Sequence, residues 1–170
     1  MAGGLEADDL AGVLDRLRHM RWPLDVEVVT GRSQRLSRLV EDHAEPVGPV
    51  RVRGHGFVTD VPLRMAAADM VLTKPGGLTC SEALAAGLPL LLVSPYPLHE
   101  EANATVLLEN GAALRVEPLS TLPFKLGRVL AERERLEAMR SAARRLAHPD
   151  AAWRVADDVL AELVRKGGEA

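Results

Sequence analysis

The sequence predicts a doubly wound α/β fold, a parallel sheet covered on both faces by helices, and three observations carry that prediction. Helical and strand-like apolar patterns alternate along the 170 residues, which is the signature of successive βαβ units. The runs at residues 70–73 and 88–93 are continuously apolar and of strand length, as parallel strands buried on both faces require. Between them Lys74-Pro75-Gly76-Gly77-Leu78-Thr79-Cys80-Ser81-Glu82 reads as a strand end, a glycine turn and the opening of a helix over residues 81–86.

Each element has its own warrant. Leu10, Val13, Leu14 and Leu17 recur at i, i+3, i+4 and i+7, an amphipathic helix with Asp8 and Asp9 near its positive end. Residues 26–30 read as a strand and 35–42 as a helix, with Ser33 of Gly31-Arg32-Ser33 placed to cap it and Pro46-Val47-Gly48-Pro49 to end it. Residues 50–53 form a short strand, Gly54-His55-Gly56 a turn, and 61–68 a helix with Pro62 in its first turn, where a missing N–H costs little. Further on, 102–108, 119–130 and 133–146 read as helices and 112–116 as a strand. Ala156, Val159, Leu160 and Leu163 mark a last amphipathic helix, anchored by Trp153. Crossovers between parallel strands are right-handed. No internal repeat, low-complexity tract or interdomain linker interrupts the chain.

Composition narrows the function classes. Hydrophobic residues make up 47%, enough for one substantial core, and aromatics only 3%, so that core is aliphatic. A net charge of −3 and a pI near 6.0 give no electrostatic footprint for nucleic acid. The single cysteine, Cys80, excludes an intramolecular disulfide framework and fits a reducing compartment. No run approaches the roughly 20 apolar residues that span a bilayer, and a cytoplasmic location is expected. His99-Glu100-Glu101-Ala102-Asn103 opens like a zinc-protease helix but has Asn where the second His must stand, so no metal is expected. Cys80 has no paired base and reads as packing; His19, His43, His55 and His148 read as surface residues.

The glycine turn is where chemistry is expected. Gly76 and Gly77 let backbone approach a ligand closely, and the free N–H groups of the first helical turn favour an anion. Glu82 lies roughly 7 Å further along the axis, where a carboxylate accepts hydrogen bonds from sugar hydroxyls next to a phosphate. A glycine turn that only packs a helix onto a strand explains the same residues.

The wider string decides more. Ala67-Ala68-Asp69-Met70 leads into the segment above, Ala83-Leu84-Ala85-Ala86-Gly87-Leu88-Pro89 follows it, then Tyr96-Pro97-Leu98-His99-Glu100-Glu101-Ala102-Asn103-Ala104 and Glu109-Asn110-Gly111-Ala112. A KPGG-x-T-x-x-E string followed by P-x-x-E-E-x-N resembles the carboxy-terminal, donor-binding domain of family 28 glycosyltransferases. The match is densest over residues 54–116 and looser from Met1 to the end. Within the family it is most similar to the monogalactosyldiacylglycerol synthase and processive diacylglycerol glucosyltransferase branch, with the lipid II-forming N-acetylglucosaminyltransferase more distant.

The resemblance implies the Rossmann-like half of a GT-B glycosyltransferase, with UDP-sugar as donor substrate and no cofactor. It implies that Gly76, Gly77, Leu78 and Thr79 hold the diphosphate, Glu82 the ribose hydroxyls, and the backbone of Phe57 and Val58 the uracil edge. Gly3 and Gly4 would line the opposite wall of the phosphate site, and His99, Glu100, Glu101 and Asn103 would face the hexose. Leu98-His99 stands where the related pattern has Gly-Gln, which bears on the sugar's identity. Met1-Ala2-Gly3-Gly4 begins at the turn that normally follows the first strand, so residues 1–170 are expected to be a UDP-sugar-binding domain without its first strand and N-terminal acceptor domain. Inverting transfer needs a general base for the acceptor hydroxyl, and in the resembled enzymes it lies on that other domain; no catalytic residue is assigned here. The expected partners are the acceptor domain or a partner subunit, a lipid acceptor reached through it, and a second copy through the sheet edge left open; placement is peripheral to the membrane. A non-catalytic donor-binding subunit of a split transferase is the alternative, and a nucleotide-sugar epimerase fragment a third.

Overall fold

The computed structural model describes residues 5–93 and 98–167. Helices and strands alternate as the sequence predicts: α1 (Ala7–Arg18), β1 (Leu24–Val29), α2 (Gln34–Asp42), β2 (Val50–His55), α3 (Val61–Ala67), β3 (Val71–Thr73), α4 (Gly77–Ala85), β4 (Leu90–Val93), α5 (Leu98–Glu109) and β5 (Ala113–Val116). A 3-10 turn (Leu119–Thr121) then leads into α6 (Leu122–Ala131), α7 (Arg133–Leu146) and α8 (Ala151–Gly167).

All strand pairs are parallel. Among the described residues they form two ladders: β1 with β2, in register from Leu24↔Val50 to Val29↔His55, and β3–β4–β5 with β4 in the centre. β4 is buried at every position because its alternate side chains enter two different cores. Leu91 and Val93 join Leu10, Leu14 and Leu17 of α1, Val28 and Val52 of the first ladder, and Leu122 and Leu126 of α6. Leu90 and Leu92 join Met65, Cys80, Ala83, Ala104, Leu107 and the Ala142-Ala143 pair of α7 on the opposite side. The first core spans both ladders and holds them together. Each such leucine is worth about 1.5–3 kcal/mol in burial alone.

Several boundaries moved for identifiable reasons. β2 runs through Gly54 and His55, which were expected in a turn; a Cβ at Gly54 would stand 2.9 Å from Val40 Cγ1, so glycine is there to let α2 lie against the strand. The helix expected over 119–130 divides at Leu122, with a proline in the first turn of α6, where the absent N–H interrupts the hydrogen-bond ladder. Ser33 caps α2 as predicted, accepting from the Leu36 N–H at 3.3 Å. Trp153 does not anchor the last helix. It is 76% exposed, and Val155, Val159, Leu160, Leu163 and Val164 are exposed beside it, so α8 carries an uncovered apolar face. No helix among the described residues is long and apolar enough to cross a membrane.

Candidate functional site

α4 begins at Gly77, four residues earlier than the sequence suggested. Gly76 takes the extended N-cap conformation (φ −66°, ψ 137°), and the first turn closes with Cys80 N–H donating to the Gly76 carbonyl at 3.0 Å. Gly76, as the N-cap, has no side chain to cap this end. The N–H groups of Gly77, Leu78 and Thr79 precede the first intrahelical bond and lie at an open surface, Leu78 being 84% exposed.

The start of α5 is packed against the same turn. Asn103 Nδ2 donates to the Pro75 carbonyl at 2.9 Å, fixing the residue before the turn. A Cβ at Gly76 would stand 3.4 Å from Glu100 Oε1, and one at Gly77 3.9 Å from Asn103 Nδ2, so the two glycines open the space that α5 fills. Glu100 Oε2 is buried and has no hydrogen-bond partner among the described residues. Burial, and then the charge of Glu100, push the Cys80 thiol up to about 11; Cys80 is inert packing, as expected. Glu101, about 100° further round the helix, is taken up by an ion pair with Arg115 at 2.5 Å.

The structure therefore brings Gly76, Gly77, Leu78, Thr79, Glu100 and Asn103 together. Glu82 lies one turn on, exposed and in no ion pair among the described residues. Lys74 Nζ is 3.9 Å from Asp9 of α1, tying the end of β3 to the first helix. Phe57 and Val58 sit in the loop after β2, with the Arg32 guanidinium 4.9 Å from the Phe57 ring centroid. Gly3 and Gly4 lie outside the described residues, as does the side chain of His99, whose backbone is in α5. Two shallow clefts of about 330 and 480 Å³ lie around Phe124 and contain none of these residues.

Two histidines are not the solvated surface residues expected. His43 lies 3.3 Å from Asp15 with 15% of its side chain exposed, and the His55 ring is hydrogen-bonded to Glu27. Glu27, Arg53 and Arg64 were missed altogether; alternating charge in β1 and β2 was the available signal, but only the register shows that these charges meet.

The glycosyltransferase family 28 C-terminal domain matches residues 10–155. The chain belongs to that family. It is 32% identical over 117 residues to a processive diacylglycerol beta-glucosyltransferase of Bacillus licheniformis, covering 69% of this chain and 30% of that protein. It is 42% identical over 113 residues to the UDP-N-acetylglucosamine–N-acetylmuramyl-(pentapeptide) pyrophosphoryl-undecaprenol N-acetylglucosamine transferase of Methylococcus capsulatus, covering 62% and 32%. The crystal structure of Acinetobacter baumannii MurG superposes with a TM-score of 0.77 at 26% identity, over 92% of this chain and 47% of that one. The fold is thus that of the C-terminal half of a GT-B glycosyltransferase. The family 28 chain described here spans about a third of the length of these curated relatives.

Proposed function

We propose that this domain binds a UDP-sugar and is the donor half of an inverting glycosyltransferase whose acceptor is a lipid. The reading assigns the diphosphate to the N–H groups at Gly76, Gly77, Leu78 and Thr79, the ribose to Glu82, the uracil edge to the backbone of Phe57 and Val58, and the hexose to Glu100 and Asn103 with His99. Gly3 and Gly4 complete the phosphate wall. Glu101 joins the hexose site only by leaving Arg115.

The observation that carries it is the buried oxygen of Glu100, without a hydrogen-bond partner among the described residues, beside a helix end that has no side-chain cap hydrogen bond from its N-cap residue. A buried acceptor without a donor costs about 1–3 kcal/mol, and a hexose hydroxyl supplies the donor. The neighbouring N–H groups take a diphosphate and stabilise its departure without a metal. One ligand that carries both groups joined is a nucleotide sugar.

The general base and the acceptor cleft are placed on a further domain or a partner subunit, at the cytoplasmic membrane surface. Support comes from the uncovered apolar face of α8, since apolar patches of this kind mark interaction sites. Pairing is the second support. β1 and β3 each pair on one side only among the described residues, so a further strand between them would unite the two ladders into one doubly wound sheet, whereas left open these edges favour self-association. The same α8 face suits the second reading, a donor-binding subunit that works with a separate partner chain, which capture of that chain from the source cell would identify.

Calorimetry tests the proposal. UDP binds without magnesium, and Glu100→Ala weakens UDP-hexoses, UDP-glucose, UDP-galactose and UDP-N-acetylglucosamine being compared, while leaving UDP itself unchanged. Strict metal dependence, or equal losses for UDP and every UDP-hexose, overturns it.

A further inference from the structure

Both ends of the loop 56–60 converge on one carboxylate that lies on neither end. At its start, the His55 ring N–H donates to Glu27 Oε2 of β1, while the His55 carbonyl accepts from the Thr30 N–H at 2.8 Å and from the Thr30 hydroxyl at 3.0 Å. At its end, Asp60 accepts from Arg64 Nε at 2.9 Å, and Arg64 NH1 reaches 3.6 Å from the same Glu27 Oε2. Arg53, directly opposite in the ladder, donates to the other oxygen at 2.9 Å.

Cross-strand pairing accounts for Arg53. It brings His55 within reach only as a diagonal neighbour two residues on, and it does not account for Arg64, which reaches in from α3. What His55 and Arg64 share is the segment between them, residues 56–63, whose first five residues are the loop. That segment contains Phe57 and Val58, whose backbone groups have no value as readers of a base edge unless they are held still. The apolar core gives little help, because Phe57 is 62% exposed.

We propose that Glu27 is a positioning residue, clamping His55 and Arg64 so that the backbone at Phe57 and Val58 is preorganised for a pyrimidine base. The clamp rests on the UDP reading of the preceding subsection and adds where its base selectivity comes from. Among the described residues it touches no group assigned to the phosphate, so base recognition and phosphate recognition are separable in this reading. Glu27→Gln keeps size and polarity but removes the carboxylate that pairs with Arg53 and Arg64 and accepts from the His55 ring.

The test uses the 170-residue chain with Glu27→Gln, three probes (UDP, ADP and inorganic pyrophosphate) and amide hydrogen exchange. The expected result is a loss of about fivefold in UDP affinity, the scale of one ion-pair network, with pyrophosphate unchanged and the UDP-to-ADP preference reduced. Exchange at residues 56–60 accelerates while β4 stays protected. Equal weakening of UDP and pyrophosphate, or UDP binding unchanged, overturns the clamp. If the unsubstituted chain does not bind UDP, the donor reading fails by itself; unchanged exchange at 56–60 in the variant then still refutes positioning, and accelerated exchange still supports it. Asp60→Asn, which cuts the far arm alone, produces the same pattern more weakly; no change in 56–60 exchange there removes Arg64 from the clamp.

Discussion

The two ladders solve the same structural problem with opposite chemistry. β3–β4–β5 is apolar on both faces apart from Thr73 and Arg115, and β4 is buried throughout. β1–β2 is apolar on one face, through Val28, Val50 and Val52, and charged on the other, through Asp25, Glu27, Arg51 and Arg53. A one-residue slip in β1 or in β2 would bury that strand's two charges, so polarity alone fixes the register there. A slip in β4 exchanges leucine for leucine or valine, and the register must come from packing against Cys80, Ala83, Ala104 and Ala143, small residues that leave room for one arrangement. The glycine turn at Gly76 and Gly77 is therefore held by close packing, and the loop after β2 by charge.

The sharpest way to break this comparison is by truncation. Leu92→Ala is expected to cost about 2–5 kcal/mol of stability in urea denaturation, whereas Arg51→Ala on the charged face stays within about 0.5 kcal/mol. Comparable losses would mean that the charged face contributes as much as the packed one.

Ligand discrimination is next in size. Glu82→Ala should weaken UDP by about 1.5–3 kcal/mol more than it weakens a 2′,3′-dideoxy analogue, which has no ribose hydroxyls to lose. Equal losses measured by calorimetry would assign Glu82 to helix structure.

A smaller effect distinguishes the ladders by pH. Burial raises the Glu27 carboxyl, but the hydrogen bonds from His55 and Arg53 outweigh it and leave the group below its ordinary value. A lowered carboxylate stabilises fully above the unfolded value, about 4.3, and that contribution is lost as pH falls through the folded value. Acidification from about pH 4 downward should therefore loosen residues 56–60 before β4, by less than about 1 kcal/mol, in exchange corrected for its intrinsic rate. Simultaneous loosening would erase the distinction. Least of all should Leu160→Ser in α8 matter to the isolated chain, within about 0.5 kcal/mol by thermal unfolding. A large drop there would show that α8 packs on its own domain.

Much of this was legible before the structure. The two apolar runs gave β3 and β4 because continuous hydrophobicity survives any choice of face. The glycine turn was legible because Gly76 and Gly77 precede a helical pattern. The true start of α4 was not, since Leu78 and Thr79 face solvent and break the apolar period. Trp153 was misread because a large apolar residue on an amphipathic stripe looks the same whether its cover lies within the chain or outside it. Glu100 and Glu101 are indistinguishable neighbours in sequence; the turn of the helix sends one beneath Gly76 and the other to Arg115. The Glu27 contacts were invisible for a different reason, being set by a pairing 26 and 28 residues away.

Cys80 adds a practical consequence. It is the one sulfhydryl in the sequence, buried in the first turn of α4 and held protonated at neutral pH. Its alkylation must wait for that turn to open, because a shielded thiol reacts only in the open form. The rate of chemical labelling is then a clock for the breathing of α4, readable on the native chain without an introduced probe. Any occupant of the helix end slows that clock in proportion to how long it stays.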